Sequence, residues 1–493
     1  MFRDPRSTLS RRDLLAEAGL GFGALAALGV LGRDVSAAHP LAPRPGHHRP
    51  RARAVISLFM HGGPSQLDTF DPKPMLARYA GQTLPESFGN LDLEFTKTST
   101  AKVLPSRRGF ARHGESGLEI SDLYPRLAAH ADRLAVVRSC HHTEFNHSPA
   151  LYFLHSGNRQ MGRPSLGAWC TYGLGSEAED LPGYVVMRDG PLKGGPETYG
   201  AGFLPAVHQA TELRNVAPPI LHLGRSANTP PLDTRALLSF AQTLNRHHAA
   251  LRPGDDRLSA RIAAGELAFR MQTAAPEAID LARETAATHR LYGLDRDETR
   301  AFGTQCLIAR RLVERGVRFV QLYHGGGNVG WDTHGNNDGQ HQINALQTDQ
   351  PIAGLLEDLA ARGLLDSTLV QWGGEFGRTP TSEGSDGRDH NPYGFSVWLA
   401  GGGVRGGMAY GATDDFGFKA VDKKVPIRDL HATLLHLLGL GHEELTYLFG
   451  PSGFFVGESM WENASSPRRL FLCSTPISTS RSWAFRPLGG WPT

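Results

Sequence analysis

The stretch "TRAFGTQCLIARRLVERGVRFVQLYHGGG", residues 299–327, contains a helical pattern, a glycine, and then a short apolar run that ends in glycines. Apolar residues recur at helical spacing up to Gly316, and the following "VRFVQLYH" has the length and composition of a buried strand. Other strands are predicted at "RAVISLFM", "RLAVVRS", "STLVQWGGE" and "FSVWLAGGG", and other helices at "DTRALLSFAQTLNRHHAALR", "DQPIAGLLEDLAARG" and "IRDLHATLLHLLGL". Strands that alternate with helices predict an α/β fold with a mostly parallel sheet flanked by helices.

The overall composition is that of an ordinary globular protein. The chain has 493 residues, of which 40% are hydrophobic and 20% charged, and its formal net charge is +2. Without an excess of one sign, a basic helix or an aromatic ladder, the sequence gives little support to nucleic-acid binding. The four cysteines show no CxxC or zinc-ribbon spacing. Function therefore has to be sought in individual loops.

The first 38 residues have the order of a twin-arginine export signal. Arg11 and Arg12 precede a weakly hydrophobic Gly/Ala-rich run, which ends at small residues up to Ala38. An amphipathic first helix is the alternative. Because the apolar run is short for a membrane span, we expect cleavage near Ala38 and no stable transmembrane span. The expected location is the periplasm or the extracellular space, with the twin-arginine export machinery as a partner.

The rest of the chain divides into three regions. Residues 39–52 are predicted to be a Pro/Arg-rich linker, and residues 53–450 one α/β domain with a helical segment around 225–315. The tail, residues 451–493, has scattered Ser, Pro and Arg without periodicity. We expect this tail to be disordered, or to result from a shifted reading frame.

Acid- and histidine-rich loops follow several of the predicted strands. Because ligands bind beyond the carboxyl ends of the strands in such sheets, these loops predict a site at one edge. The candidate residues are His61, Asp68, His147, Ser148, Asp332, His334, Glu375, Asp389 and His390, with His341 seven residues after His334. Mixed Asp, Glu and His ligands suit zinc, manganese or iron, and a carboxylate-rich set also tolerates calcium or magnesium.

Each motif has a simpler interpretation on its own. Asp332 and His334 form an Asp-x-His pattern that is common in polar turns, and Asp389 can begin an Asx-turn. Ser148 can be a helix N-cap. Glu375 is harder to explain in this way, since it ends an apolar strand, where a buried carboxylate is costly without a partner. The metal-site hypothesis therefore depends on these loops meeting in space.

In these stretches the chain resembles a bacterial family known as the domain of unknown function 1501. The similarity lies in "MHGGPSQLDTFDPKP", "NHSPALYFLHSG", "LARETAATHRLYG", "ARRLVERGVRFVQLYHGGGNVGWDTHGNN", "TLVQWGGEFGRTP", "GRDHNPYGFSVWLAGGGVRGG" and "DLHATLLHLLGL". Members commonly begin with a twin-arginine signal and are grouped with the alkaline phosphatase and sulfatase superfamily. The resemblance implies an alkaline phosphatase/sulfatase-like fold with one or two divalent metal ions.

The resemblance to the wider superfamily implies an altered site. Glu375 stands at the position of a sulfatase Asp ligand, and Phe376 at that of a His ligand. His147 stands where sulfatases have the Cys that matures to formylglycine, with Ser148 as the neighbouring hydroxyl. His61 follows the first strand, where the superfamily has a metal-binding Asp. A true sulfatase is therefore not expected, but a phosphatase-like metal centre is.

Two functions are predicted. The first is an exported metal-dependent hydrolase of phosphate or sulfate esters that acts on a small molecule or a polysaccharide. Its zinc, calcium, magnesium or manganese ions would be held by Asp332, His334, Glu375, Asp389 and His390, completed by Asp68 or His61. Ser148 is the predicted covalent nucleophile and His147 a ligand or proton donor, with direct attack by water as a variant. The second function is that of a non-catalytic exported binding or scaffold protein on a degenerate hydrolase fold.

Overall fold

The computed structural model describes residues 41–88, 100–214, 234–252, 256–326, 330–382, 384, 386–449 and 454–455. The predicted signal, residues 1–38, lies outside the described residues, as does the predicted tail except for residues 454–455. All described residues belong to the unit Leu41–Thr493.

A nine-stranded sheet forms the centre of the fold. Its strands are β1 Ala54–Met60, β2 Leu134–His141, β3 Tyr184–Arg188, β4 Thr211–Arg214, β5 Phe319–His324, β6 Thr368–Gly373, β7 Phe395–Gly401, β8 Met408–Tyr410 and β9 Val425–Pro426. Their order is β8-β2-β7-β6-β1-β5-β3-β4, and β9 also pairs with β2. Only β7 is antiparallel to its neighbours, and every other pairing is parallel. The predicted mostly parallel sheet is confirmed.

Helices cover both faces of this sheet. They are α1 Gln66–Thr69, α2 Pro74–Arg78, α3 His147–Ser156, α4 Leu166–Leu174, α5 Thr234–Ala250, α6 Asp256–Ile279, α7 Ala286–Leu291, α8 Asp297–Glu314, α9 Asn337–Ala361 and α10 Ile427–Leu437. Successive residues of a strand point to opposite faces. Ile56 and Leu58 of β1 accordingly share one core with α6, α8 and α9, whereas Val55 and Phe59 share the other with α3, α4 and α10. Burial on both faces explains why β1 is apolar at nearly every position.

Short elements complete the described part of the chain. The 3₁₀ helices are Glu86–Phe88, Leu127–Arg133, Pro196–Tyr199, Ala206–His208, Leu281–Arg283 and Leu365–Ser367. The short strand pairs are Lys102–Val103 with Thr381–Ser382, Phe110–His113 with Leu118–Ser121, Gly377–Arg378 with His390–Asn391, Ala412–Thr413 with Ala420–Asp422, and Leu448–Phe449 with Phe454–Phe455. The pair that contains Arg378 and His390 lies next to the candidate site.

Two segments differ from what the sequence patterns predict. Helix α9 begins at Asn337 rather than near residue 349, so residues 337–348, which precede the predicted helix, are also helical. Its start is fixed by a distant residue: the backbone oxygen of Asp386 accepts from the Asn337 amide at 2.9 Å, and Asp386 Oδ1 accepts from the Asn336 amide at 3.0 Å. Residues 41–52, predicted to be a linker, lie against the end of α10, where the Arg51 amide donates to Leu437.

One edge of the sheet gathers the segments of interest. The parallel strands β1, β2, β3, β5 and β6 end there, and β7, which runs the other way, begins there. His61, the loop before α3, the Lys193 loop, the Asp332 loop and Glu375 follow those parallel strands, and His390 precedes β7. The topology therefore brings together loops that are far apart in sequence, as expected for an α/β sheet.

Candidate functional site: a histidine and aspartate centre

Three histidines surround the carboxylate of Asp332. His147 Nε2 lies 3.0 Å from Asp332 Oδ2, while His334 Nε2 and His390 Nε2 each lie 3.1 Å from Asp332 Oδ1. The Nε2 atoms of His334 and His390 are 3.0 Å apart. The three histidines come from the first turn of α3, the loop before α9 and the strand pair before β7. The Asp332 carboxylate is thus the meeting point of three loops.

Each of these imidazole rings is held through its other nitrogen. His147 Nδ1 donates to Glu375 Oε1 at 2.7 Å, His334 Nδ1 to Asp389 Oδ1 at 2.9 Å, and His390 Nδ1 to the Phe145 carbonyl at 2.7 Å. We assign these protons from the partners, since carboxylate and carbonyl oxygens can only accept. A neutral ring that carries its proton on Nδ1 presents a lone pair at Nε2. Carboxylates and carbonyls that fix histidines in this way are typical of metal centres.

The donor set fits a divalent cation. His147 Nε2 is buried and makes no hydrogen bond within the described residues, although Asp332 Oδ2 is 3.0 Å away. Ligand atoms of His147, Asp332 and His390 all lie within 4.8 Å of one another. Two imidazole nitrogens and one carboxylate are ligands that zinc, manganese and iron accept, and three protein ligands leave a further coordination position open.

The surrounding charges keep Asp332 ionised. Burial raises the pKa of this carboxyl group, but the three histidines and the Arg378 guanidinium hold it well below its usual range. Hydrogen bonds to Asp332 and Asp389 raise the pKa of His334 to about 9. Burial lowers the pKa of His390 to about 4. Of the three rings, His334 is the most open to solvent, with 43% of its side chain exposed, and it marks the mouth of the site.

Two cations that were not among the predicted site residues contact the centre. Arg378 is fully buried and donates to Asp332 Oδ1 at 2.9 Å and to the backbone oxygens of Gly63 and Trp331. Lys193 Nζ lies 2.7 Å from Asp332 Oδ2, and 48% of its side chain is exposed. The sequence contained no signal for Lys193, because its loop follows β3, a strand for which no pattern was recognised.

Glu375, a predicted metal ligand, lies behind His147. Both of its carboxylate oxygens accept from the Gly62 amide, at 2.9 and 3.1 Å, and Oε1 also accepts from His147. Burial alone would raise the pKa of this acid, but the hydrogen bond from His147 and the nearby His61 lower it to about 2. The buried carboxylate therefore has the partners that the sequence argument required, and it orients His147.

Gly62 permits this arrangement because it has no side chain. Its φ is +114°, and a Cβ at this position would lie 2.4 Å from the backbone nitrogen of Asp332. The close approach lets the Gly62 amide reach Glu375 while the Asp332 loop passes directly above. The glycine-rich turn after β1 is therefore part of the site through its backbone.

The remaining predicted residues lie around this centre. His61 is buried, with its ring centroid 6.2 Å from that of His147. Asp389 accepts from His334 Nδ1, and the other nitrogen of the same ring contacts Asp332. Ser148 Oγ donates to the Lys193 carbonyl at 2.8 Å. Asp68 accepts from two hydroxyls, an amide and Arg388, and belongs to a separate buried network.

Phe376 occupies the position for which the resemblance implies a histidine ligand. Its ring stacks on His390, with centroids 4.2 Å apart and planes at 29°, and it also lies 5.1 Å from the His147 ring. The phenyl ring therefore packs against both imidazoles and limits their movement.

The fold and the site together define an α/β protein with a candidate metal centre at the carboxyl edge of its sheet. The chain belongs to the family described as "Protein of unknown function (DUF1501)", which matches residues 52–456. No curated protein matches the sequence. Among the described helices, none is long and apolar enough to cross a bilayer.

Several solved structures are similar to this chain. One is the lipoteichoic acid synthase LtaP from Listeria monocytogenes, at 9% identity over 81% of this chain and 76% of that chain, with a TM-score of 0.33. Another is the alkaline phosphatase from the Antarctic bacterium TAB5, at 10% identity over 80% and 99%, with a TM-score of 0.33. A third is the phosphonate monoester hydrolase SpPMH from Silicibacter pomeroyi, at 13% identity over 70% and 72%, with a TM-score of 0.32. Similarities of this size carry no information on activity.

Proposed function

We propose that this protein is a metal-dependent hydrolase of phosphate or sulfate esters. The observation that supports it is the convergence of three Nδ1-anchored histidines on the Asp332 carboxylate. His147, Asp332 and His390 would hold one divalent ion, because their ligand atoms already lie within 4.8 Å of one another. Lewis-acid polarisation of the ester, together with activation of water, is the chemistry that such an ion supplies when bound.

Lys193 gives the site a preference for an anionic substrate. Its ammonium group is half exposed and lies against Asp332. The backbone of this loop is fixed from two sides, since the Lys193 carbonyl accepts from Ser148 and its amide points at His61 Nε2 at 3.4 Å. A flexible, solvated lysine on a fixed loop can bind the charged oxygens of a phosphate or sulfate group. The ester class itself is what the family resemblance implies.

His334 is the residue placed to move a proton. It is the most exposed of the three rings, and Asp389 fixes its orientation through Nδ1. A proton held at Nε2 can pass to the leaving oxygen of an ester bound at the mouth of the site. In this assignment His334 is a general acid, whereas the sequence had placed it among the metal ligands.

Water, rather than Ser148, is the proposed nucleophile. The Ser148 hydroxyl donates a hydrogen bond to the Lys193 carbonyl, so its observed role is to hold the lysine loop. A covalent route through Ser148 would first have to break this hydrogen bond. Of the two routes that the sequence left open, the geometry favours direct hydrolysis.

We also propose that the protein is exported through the twin-arginine pathway to the periplasm or beyond the cell. This rests on the order of residues 1–38. Fractionation of cells that express the full chain, compared with an Arg11→Lys/Arg12→Lys variant, tests it. A variant protein that still leaves the cytoplasm would contradict this route.

The hydrolase proposal is tested by elemental analysis of the purified protein. We expect near-stoichiometric metal in the wild type and its loss in His147→Gln and His390→Gln. The control is His155→Gln, a buried histidine on the same helix that contacts Gln321 and Tyr323 instead; it should retain the metal. A wild type that stays metal-free after supplementation with zinc, manganese and calcium would overturn the proposal.

The same preparations would be assayed with phosphate and sulfate esters. Turnover that disappears on chelation and returns with the metal supports hydrolysis. Stoichiometric metal without turnover of any ester would contradict the hydrolase. It would instead support the second function predicted from the sequence, a non-catalytic binding protein on the same fold.

A further inference from the structure

The centre depends on two irregular segments being in register. Asp332 lies in the loop before α9, and His390 lies 58 residues later in a two-residue strand. Their ligand atoms nevertheless lie 3.1 Å apart. Since neither segment belongs to the central sheet, their relative position depends on the contacts between them and on the side chains that pack against both.

Asp68 lies between these two segments. Its Oδ2 accepts from Arg388 Nε at 2.9 Å and from Asn337 Nδ2 at 2.9 Å. It also accepts from Ser65 Oγ at 2.6 Å, and Oδ1 accepts from Ser106 Oγ at 2.6 Å. Only 3% of the residue is exposed. Four donors therefore occupy this carboxylate, which leaves little capacity to bind a metal.

The hydrogen bond from Arg388 connects Asp68 to the segment that contains His390. Arg388 directly precedes Asp389 and His390, and its Nη1 donates to the Thr379 carbonyl at 3.1 Å. Thr379 Oγ1 in turn accepts from the Asp389 amide at 2.9 Å. A change in the position of the Arg388 side chain would therefore move the backbone that carries the histidine.

The Asn337 side reaches the Asp332 segment. Asn337 Oδ1 accepts from Thr333 Oγ1 at 2.7 Å, and Thr333 lies between Asp332 and His334. The two sides also meet directly, because the Arg388 amide donates to the Thr333 carbonyl at 2.9 Å. Asp68 thus accepts from the side chains of Arg388 and Asn337, each of which is tied to one of the two ligand segments.

From these contacts we propose that Asp68 is a positioning residue. It holds the Asp332–His334 and Arg388–His390 segments in register and thereby sets the affinity of the centre for a metal ion. Burying an ion pair costs desolvation energy, and the best-attested return for such a cost is the fixing of one arrangement among several. The part of this proposal that concerns metal affinity rests on the proposed function; the part that concerns the two segments does not.

The test compares Asp68→Asn with a matched control, Asp71→Asn. Asp71 lies three residues away and is equally buried, but its partners are Thr413, Lys73 and Arg138, all outside the ligand segments. Amide hydrogen exchange is followed by mass spectrometry on chelated protein. In Asp68→Asn, we expect peptides covering 331–334 and 386–391 to exchange about tenfold to about a hundredfold faster, since a hydrogen bond to a charged group contributes that much to the opening equilibrium.

A milder variant covers the case in which Asp68→Asn does not fold. Asn337→Ala removes the hydrogen bonds of the Asn337 side chain to Asp68 and Thr333 and leaves the Asp68–Arg388 ion pair in place. We expect faster exchange in 331–334 with a smaller effect in 386–391. The second readout is metal affinity, which should weaken by about 10-fold to about 100-fold in Asp68→Asn, as for other residues that orient ligands.

The outcomes separate this proposal from the hydrolase proposal. The positioning role is supported if Asp68→Asn, but not Asp71→Asn, shows faster exchange that is confined to the two segments. Weaker metal binding in Asp68→Asn would support the part of the proposal that concerns metal affinity. Unchanged exchange, or faster exchange spread over the whole chain, overturns the positioning role whether or not metal binds. If the wild type binds no metal but the two segments loosen, the hydrolase proposal fails and the positioning role is supported.

Discussion

Replacing Glu375 with glutamine should destabilise the protein in a pH-dependent way. The carboxylate is fully buried, and it accepts from the Gly62 amide with both oxygens and from His147 with one. The amide of glutamine has one oxygen and one NH₂ group. The NH₂ group would therefore face one of the N–H donors that surround the carboxylate, either that of Gly62 or that of His147. The variant therefore loses both the charge and a satisfied hydrogen bond.

The magnitude follows from the lowered pKa. Burial by itself would raise the pKa of Glu375, but His147 and His61 lower this pKa from its ordinary value of 4.5 to about 2. Because one pKa unit corresponds to about 1.4 kcal/mol, ionised Glu375 contributes about 3 kcal/mol at pH 7. The sign follows from the lowered pKa: the contribution is complete above pH 4.5 and is lost as the pH falls towards 2, with about 2 kcal/mol left at pH 3.5. Because His147 is the partner in the same interaction, no separate free-energy contribution of His147 is added to this value.

The assay is urea unfolding of chelated wild type and Glu375→Gln between pH 7 and pH 3.5, followed by circular dichroism. The free energy of unfolding should differ by about 3 kcal/mol at pH 7 and by about a third less at pH 3.5. Asp349→Asn is the control, because burial raises the pKa of Asp349. The wild-type advantage over that variant should therefore shrink as the pH rises, in the opposite sense.

Two results would refute this reasoning. A difference below about 1 kcal/mol at pH 7 would mean that the carboxylate is not the charged partner of His147. A difference that stays constant with pH would mean that the loss comes from packing and not from ionisation. Either result would also remove the reason to describe His147 as oriented by Glu375.

Three further predictions concern the loops around the centre. Lys193→Met should raise the KM for an anionic ester about tenfold while kcat changes less, and Lys193→Arg should recover most of the loss; an equal loss with a neutral ester would contradict anion binding. Gly62→Ala should lower the free energy of unfolding by about 1–3 kcal/mol, because the new Cβ would meet the backbone of Asp332. Gly81→Ala, also at positive φ but with nothing within 4 Å of the new Cβ, should cost less. Ser148→Ala should keep kcat within about threefold, because the hydroxyl holds the Lys193 loop; a loss of about a thousandfold would restore the covalent route.

The pattern of apolar runs was sufficient to predict the layered fold. β1, β2, β5, β6 and β7 all lie within the predicted runs or extend them by at most two residues. These strands are buried, so their composition alone identifies them. β3 and β4 were not recognised, and the early start of α9 was not predicted, because its cap comes from Asp386, a partner that local sequence does not reveal.

Residue types and positions at strand ends also predicted which loops would come together. The structure brings together six of the residues that the sequence predicts for the site: His147, Asp332, His334, Glu375, Asp389 and His390. This convergence has a physical basis, since the loops that follow parallel strands lie at a common edge of the sheet. The sequence by itself determined the fold class and which loops would meet.

Only the tertiary structure decided what each residue does there. Glu375 and Asp389 turn towards histidines, and Asp68 towards Arg388, because each buried or half-buried carboxylate takes the donors that surround it. Lys193 and Arg378 became visible only as partners of Asp332. Sequence spacing specifies which side chains are available at an edge. The direction of each hydrogen bond depends on distances of about 3 Å between segments that are far apart along the chain.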